Sequence, residues 1–442
     1  RTFLKRVFAM TRLDFRLVVL LLSTLLTSGA CSAAPATSDA TAGAMPSDSR
    51  AQVPPKSLSV LEFGGANTLF AADPTQNRVY AFELSGIPDE TRNLDSTPYN
   101  LVGFGTQLAA FLETSPLSIS YHDLAVHPVT KAAFISASIR SSEGVRSELI
   151  RVTPDGAIAS IAFQDLKFTS LSLSEPPDES VSFWRDIPAA TLSVTDFEFD
   201  DGVLYIAGLS NGEFASTLRQ VAFPFGSGAD VSTIEMFHTA HNQNETRAPI
   251  RAMSIATVGG KKTLIAAYTC TPLVTIPADA LVDGAHVVGK TIAELGYGNT
   301  PVEVLTVTAY NMERQPEDFV LVINREMSAN LIKMEDLAEA PGLTTAFSGL
   351  GDTLGVEGTH VPFAGTLQAD NQDAQFILAL RRNIDTGDVD LISSMKGVYF
   401  RLSDFVSEYT FPDYEYPESQ KGTQMFHNLI KPIEGYPELV IN

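Results

Sequence analysis

From Ser57 onward, short apolar runs alternate with clusters of Gly, Asp, Asn and Pro. Apolar and polar residues either alternate or run together for about four to eight positions. No stretch sustains the period of an amphipathic helix, so the pattern predicts an all-β chain. The most complete unit spans residues 119–163: ISYHDLAVHPVTKAAFISASI, a polar loop, then ELIRVTPDGAIASIAF. Its four apolar runs, separated by turn residues, predict four antiparallel strands.

The opening strand pair of that unit recurs along the chain. The pairs are SLSVLEF with TLFAAD, SISYHDLAV with AAFISAS, LSVTDFEF with VLYIAG, and APIRAMSIAT with TLIAAY. PVEVLTVTAY with FVLVIN and, more weakly, THVPFAGTL with AQFILAL follow. Leu69, Ala133, Leu204, Leu264, Val320 and Ile377 fall at equivalent second-strand positions, 56 to 71 residues apart. One or two further candidate strands follow each pair. Four strands at this spacing predict a single β-propeller, because radial packing buries sheet faces and protects edges that a lone sheet would expose. Six four-stranded blades are legible, and residues 86–112 and 403–442 would have to supply a seventh. The competing architectures are two β-sandwiches or a barrel. Residues 105–113 predict a short helix, and the acidic, aromatic tail TFPDYEYPESQKG predicts a cap on one face.

The segments LFAADPTQNRVYAFEL and DLAVHPVTKAAFISAS resemble bacterial propellers of the quinoprotein and amine-dehydrogenase-like kind. The likeness covers most of residues 57–402 at the level of the repeat. It implies the propeller fold and no activity, since no cofactor motif of those enzymes is present and Trp184 is the sole tryptophan.

The first thirty residues have a different texture. Arg1, Lys5, Arg6, Arg12 and Arg16 precede the uncharged run Leu17–Leu26, the layout of an export signal. Gly29-Ala30-Cys31 resembles the bacterial lipobox, which implies a signal peptide over residues 1–30 and lipidation of Cys31. Ser28 stands where leucine is usual, and the alternatives are secretion with cleavage near Ala34 or an uncleaved anchor. Ser32 after the cysteine implies outer-membrane lipid as the partner, with the protein facing the periplasm or the surface of a Gram-negative bacterium. Residues 31–56, rich in Ala, Ser, Thr and Pro, predict a flexible tether with a reach of roughly 25–30 Å. The propeller domain then takes residues 57–442, including an acidic C-terminal extension.

The net charge of −22 argues against nucleic-acid binding, because an acidic surface repels phosphates. Cys31 and Cys270 are the only cysteines, so a lipidated Cys31 leaves Cys270 without an intramolecular partner. No Cys-x-x-Cys-His motif exists, which excludes covalent c-type haem by that route.

Aligning the first strands places His122, Thr195, Arg251 and Glu303 at one register, with His360 in the sixth pair. In a propeller these strands line the axis, so the residues are the candidate ligand site at the channel mouth. Arg251 favours an anion, and His with Glu favours a metal or acid–base chemistry. A wet channel that merely tolerates polar groups accounts for the same pattern. The loop HTAHNQNETRAPIR holds His238, His241 and Glu245, whose side chains suit a metal ion, the one cofactor suggested. A surface loop leading into the inner strand is the competing reading, and the spacing is not that of a structural zinc site. Gly208 to Gly212 matches G-x-S-x-G but sits where two strands join. Asp385, Asp388 and Asp390 read as a hairpin turn rather than a calcium loop, and Trp184 as a loop anchor. The expectation is a binding or scaffold lipoprotein with a small-molecule or protein partner at the channel mouth. The alternative is a propeller hydrolase or oxidoreductase using His122, Glu303, His360 and a metal held by the His238–Glu245 loop; no catalytic residue is identified.

Overall fold

The computed structural model describes residues 53–84, 97–184, 186–226, 228–269, 271–310, 315–349, 352–397 and 411–418. The segment expected to be an export signal, Cys31, nearly all of the expected tether, Cys270 and most of the acidic tail lie outside the described residues.

The chain is mostly β and its sheets form a β-propeller-like ring. β1 (Leu61–Phe63), β2 (Thr68–Asp73) and β3 (Arg78–Glu83) open the first sheet. β4 (Asn100–Leu101) and helix α1 (Phe104–Phe111) follow. β5 (Ile119–Val126), β6 (Ala133–Ser141), β7 (Gly144–Val152) and β8 (Ile158–Ile161) form the second sheet from consecutive chain. β9 (Phe168–Ser172) then returns to pair with β3 and completes the first sheet. β10 (Ser182–Phe183) and β11 (Ile187–Pro188) make a small hairpin.

Two further antiparallel runs follow. One is β12 (Asp196–Asp200), β13 (Val203–Leu209), β14 (Ser216–Ala222) and β15 (Asp230–His238), with β16 (Gln243–Glu245) folded back on β15. The other is β17 (Ile250–Val258), β18 (Lys261–Tyr268), β19 (Pro272–Pro277) and β20 (His286–Glu294). Parallel pairing of β15 with β20 joins the runs into one ten-stranded sheet. β21 (Pro301–Tyr310), β22 (Pro316–Asn324) and β23 (Ala329–Lys333) lead into helix α2 (Met334–Glu339). β24 (Leu354–Gly355) pairs with β20, and β25 (Thr359–Val361) closes the β21 sheet against β23. Finally β26 (Thr366–Asn371), β27 (Phe376–Arg382) and β28 (Val389–Met395) accept β4 as their fourth strand. Among the described residues, four sheets are thus separate four-stranded blades.

Each second strand carries a buried, mostly apolar run because a neighbouring sheet covers both of its faces there. Leu69, Ala133, Leu204, Leu264, Val320 and Ile377 all lie on second strands and are wholly buried. Period-two alternation sends consecutive residues to opposite neighbours. Leu69 packs with Phe134 and Leu149 of the β5 sheet, whereas Phe70 packs with Phe197 and Leu204 of the β12 run. Other clusters join Leu218 to Leu264, Leu273 to Val320, and Leu124 to Leu378.

The order around the ring is not the order along the chain. First strands touch in the cycle β1, β12, β17, β21, β26, β5 and back to β1. The β5 sheet, second in sequence, is therefore seated between the last sheet and the first. β4, before it, is stitched to the last sheet, and β9, after it, to the first. The sixth strand pair is also displaced from its expected place. Thr359–Val361 belongs to the outer edge of the β21 sheet, and the true first strand starts at Thr366, after Gly365.

Candidate functional site

The first strands of the ring converge on a set of carboxylates. β1 supplies Glu62, β5 Asp123, β12 Asp196 and Glu198, β21 Glu303 and β26 Asp370. β17 contributes Arg251 instead. Protein surrounds these groups, yet all except Asp123 remain half-exposed. They are close enough to act on one another: Glu303 feels Asp196, Asp123 and Asp370, and Glu62 feels Glu198, Asp370, Asp196 and Asp123.

Three aspartates share one hydrogen-bonding device. Asp123 Oδ1 accepts the N–H of Leu124 at 2.8 Å, and its Oδ2 accepts that of Leu61, in the neighbouring sheet, at 2.7 Å. Asp196 does the same with Phe197 and Met253, at 2.9 and 2.6 Å. Asp370 repeats it with Asn371 and Val126, both at 2.6 Å. One oxygen holds the residue's own strand and the other ties the next sheet. The Thr195 hydroxyl adds a bond to the Ile250 carbonyl at 2.6 Å, and Gln368 donates to the His122 carbonyl.

Burial and mutual repulsion oppose ionisation of this ring. Burial raises Asp123 to about 7, against the N–H groups of Leu61 and Leu124, which favour the charged form. Asp370 rises to about 7 and Glu198 to about 8, burial being the largest cause in both. Glu62, Asp196 and Glu303 are raised well above ordinary carboxylates by burial first and by neighbouring carboxylates next. Burial lowers Arg251, as does Arg325 beside it, while Asp196 and Asp123 pull it back up.

β-Bulges set which side chains reach this ring. The register slips between Tyr121 and Asp123, Ile250 and Ala252, Pro301 and Glu303, and Thr366 and Gln368. His122 and Arg251 are thus bulge residues, re-aimed by the extra position. His122 is exposed, its Nε2 sits 2.8 Å from the Ser138 hydroxyl, and burial by surrounding protein lowers its pKa. Thr195 lies just before β12 and is buried, and Arg251 and Glu303 lie half-buried on first strands. His360 is not among them. It sits exposed on the outer strand β25, 3.1 Å from Ser328 Oγ, because the segment around it is an edge strand. Glu62, Asp123, Asp196, Glu198 and Asp370 were not singled out in the sequence, although an acid directly before an apolar residue marks Asp123-Leu124, Asp196-Phe197 and Glu303-Val304. The alignment set His122 beside Thr195, each one residue before an aspartate, and so passed over Asp123 and Asp196 alike.

His238, His241 and Glu245 come together on the β15–β16 hairpin, with one donor atom from each within 4.8 Å of the others. His238 ends β15 opposite Gln243, so two residues further on Glu245 returns to the same face. Glu245 Oε1 lies 2.5 Å from His241 Nδ1 and 3.3 Å from His238 Nδ1. The imidazole rings stand 3.9 Å apart. Burial would raise Glu245, but hydrogen bonds from His238, His241 and Gln243 outweigh it and hold the carboxyl at about 2. On the far side of His238, Nε2 is 3.8 Å from Glu294 Oε2. Glu294 is buried and accepts from the Thr239 N–H and hydroxyl and from the Thr271 hydroxyl.

The other motifs resolve into structure. Gly208 to Gly212 crosses from β13 into a turn with no helix after it, and Ser210 Oγ bonds Thr217. Asp388 and Asp390 accept the N–H groups of Thr106 and Gly103 at the start of α1. Trp184 does not anchor its loop, being 87% exposed beside Phe183.

No family model matches the chain, and no curated protein matches it in sequence. Among solved structures it is similar to Drosophila Semaphorin 1b extracellular domains 1–2, at 9% identity, covering 80% of this chain and 87% of that one, with a TM-score of 0.33. It is also similar to Kuenenia stuttgartiensis hydrazine synthase, at 9% identity over 80% and 99% of the two chains, with a TM-score of 0.28. At those scores the likeness carries nothing about activity.

Proposed function

We propose that this chain is a non-catalytic binding or scaffold protein, exported and held on the outer membrane through a lipidated Cys31, with its ligand taken at the propeller axis. The two antiparallel runs of the ten-stranded sheet count in this reading as two blades, which makes the ring six-bladed. The observation that supports it is the convergence of Glu62, Asp123, Asp196, Glu198, Glu303 and Asp370 from five of the six first strands. Three of the aspartates are committed to holding sheets together, which suits a rigid frame. Glu62 and Glu303 are left as the groups best placed to meet a ligand, with Arg251 and His122 beside them. A ring of carboxylates that resist ionisation, first because they are buried and then because they repel one another, gains from an organic cation or a hydrogen-bond donor, so the ligand is of that class rather than an anion.

Calorimetric titration at pH 7 with spermidine and, separately, with calcium chloride tests the reading. Saturable binding of spermidine that releases protons, and that is weakened by Glu62→Gln with Glu303→Gln, is the expected result. Absence of saturable binding by both probes would sink it.

A further inference from the structure

A second site is carried by different residues and does not depend on the axial ring. We infer that His238, His241 and Glu245 form a site for a divalent transition metal of the zinc type. Two imidazoles and one carboxylate are a nitrogen-rich set that suits zinc and its neighbours, whereas calcium and magnesium take oxygen ligands. The three donor atoms already lie within 4.8 Å of one another on a two-stranded hairpin whose register is fixed by pairing of Met236 with Glu245 and His238 with Gln243. His238 is 1% exposed, so its ring direction is set by packing rather than by solvent.

Behind it stands Glu294, itself 3% exposed and held by Thr239 and Thr271. A carboxylate on the far side of a ligating imidazole orients the ring and raises its basicity. Two carboxylates and two neutral imidazoles also balance the charge of a divalent ion. Three protein ligands leave a coordination position open to water or to a partner's side chain. His241 is half-exposed on the turn, so that position faces outward, where a ligand can reach it. Bound metal would pin the hairpin that leads into β17.

The test uses tag-free full-length protein, stripped with a chelator and titrated with zinc in competition with a chromogenic chelator. One equivalent bound per chain is expected, and His241→Ala and Glu245→Gln each weaken binding about tenfold or more. His241 is half-exposed and Glu245→Gln preserves side-chain shape, so the variants keep the wild-type circular dichroism spectrum. Cobalt in place of zinc gives visible d–d bands in the wild type that are lost in His241→Ala. No stoichiometric zinc in the wild type, or zinc held as tightly by both variants as by the wild type, overturns the inference. Spermidine binding at the axis is unaffected by His241→Ala, so failure here and failure at the axis are read separately.

Discussion

Asp123 reaches out of its own sheet to take the backbone N–H of Leu61 at 2.7 Å. Its other oxygen holds Leu124, and Asp196 and Asp370 repeat the arrangement toward Met253 and Val126. Buried strand edges near a propeller axis leave N–H groups that the ladders do not satisfy, and these aspartates supply the acceptors. Asp123→Ala orphans two N–H groups at once. Urea denaturation at pH 5, where the wild-type carboxyl is mostly protonated, should show a loss of about 1–3 kcal/mol.

The raised carboxylates fix a direction for the pH dependence of stability. A group that holds its proton more tightly when folded favours the native state at low pH, and that contribution is lost as pH rises toward the folded value. For Asp123 and Asp370 the window runs from the ordinary carboxylate range up to about 7, and for Glu198 up to about 8. Glu245, held at about 2, acts in the opposite sense and loses its contribution as pH falls below its unfolded range. Thermal melts should therefore give a higher Tm at pH 5 than at pH 8. Glu62→Gln removes one repelling charge from the ring, so it should raise Tm at pH 8 more than at pH 5 and flatten the profile.

Tyr99 seals the junction between the β5 sheet and the last sheet. Its hydroxyl lies 2.8 and 2.9 Å from the carbonyls of Lys131 and Val152 and accepts the Ala133 N–H at 3.0 Å. Its backbone N–H donates to Ser393 Oγ at 2.7 Å. Tyr99→Phe keeps the ring and removes only the hydroxyl. Chemical denaturation should register a loss of about 1–3 kcal/mol, and hydrogen exchange should show Ala133 losing protection before residues on β18.

Gly208 lies against the backbone of the Ala189–Ser193 turn. A Cβ there would stand 2.1 Å from the Ser193 carbonyl oxygen, which cannot move aside as a side chain would. Gly208→Ala should cost roughly 1–3 kcal/mol or more, measured by denaturation. Ser210→Ala, two residues on, should leave stability nearly unchanged, because its hydroxyl meets only Thr217 and the turn.

The strand pairs were legible because each second strand is buried on both faces and reads as an unbroken apolar run. VLYIAG, TLIAAY and FVLVIN carry that signal plainly. The fourth strands β4, β9 and β25 were not legible, because they are short edge segments of two to five residues whose partners are distant in sequence. His360 was misplaced for that reason. The axial carboxylates escaped notice because they occupy two registers: Asp123 and Asp196 lie one residue past the aligned His122 and Thr195, and Glu62, Glu198 and Asp370 lie two residues further along their strands. The hairpin cluster was legible because its three residues are local, while Glu294, lying 56 residues beyond His238, was not.

The seating of the β5 sheet between the two ends of the ring has a kinetic consequence. Tyr99 and Ser393 meet across 294 residues of chain, and β4 has no sheet to join until β28 exists. Contacts of such long range are slow to form, because chain entropy is lost before they stabilise anything. Ring closure is therefore expected late in folding, and hydrogen exchange that showed Tyr99 and β4 protected before the other sheets would overturn that expectation. A chain interrupted before Val389 would keep most of its strand pairs and still lack the means to close.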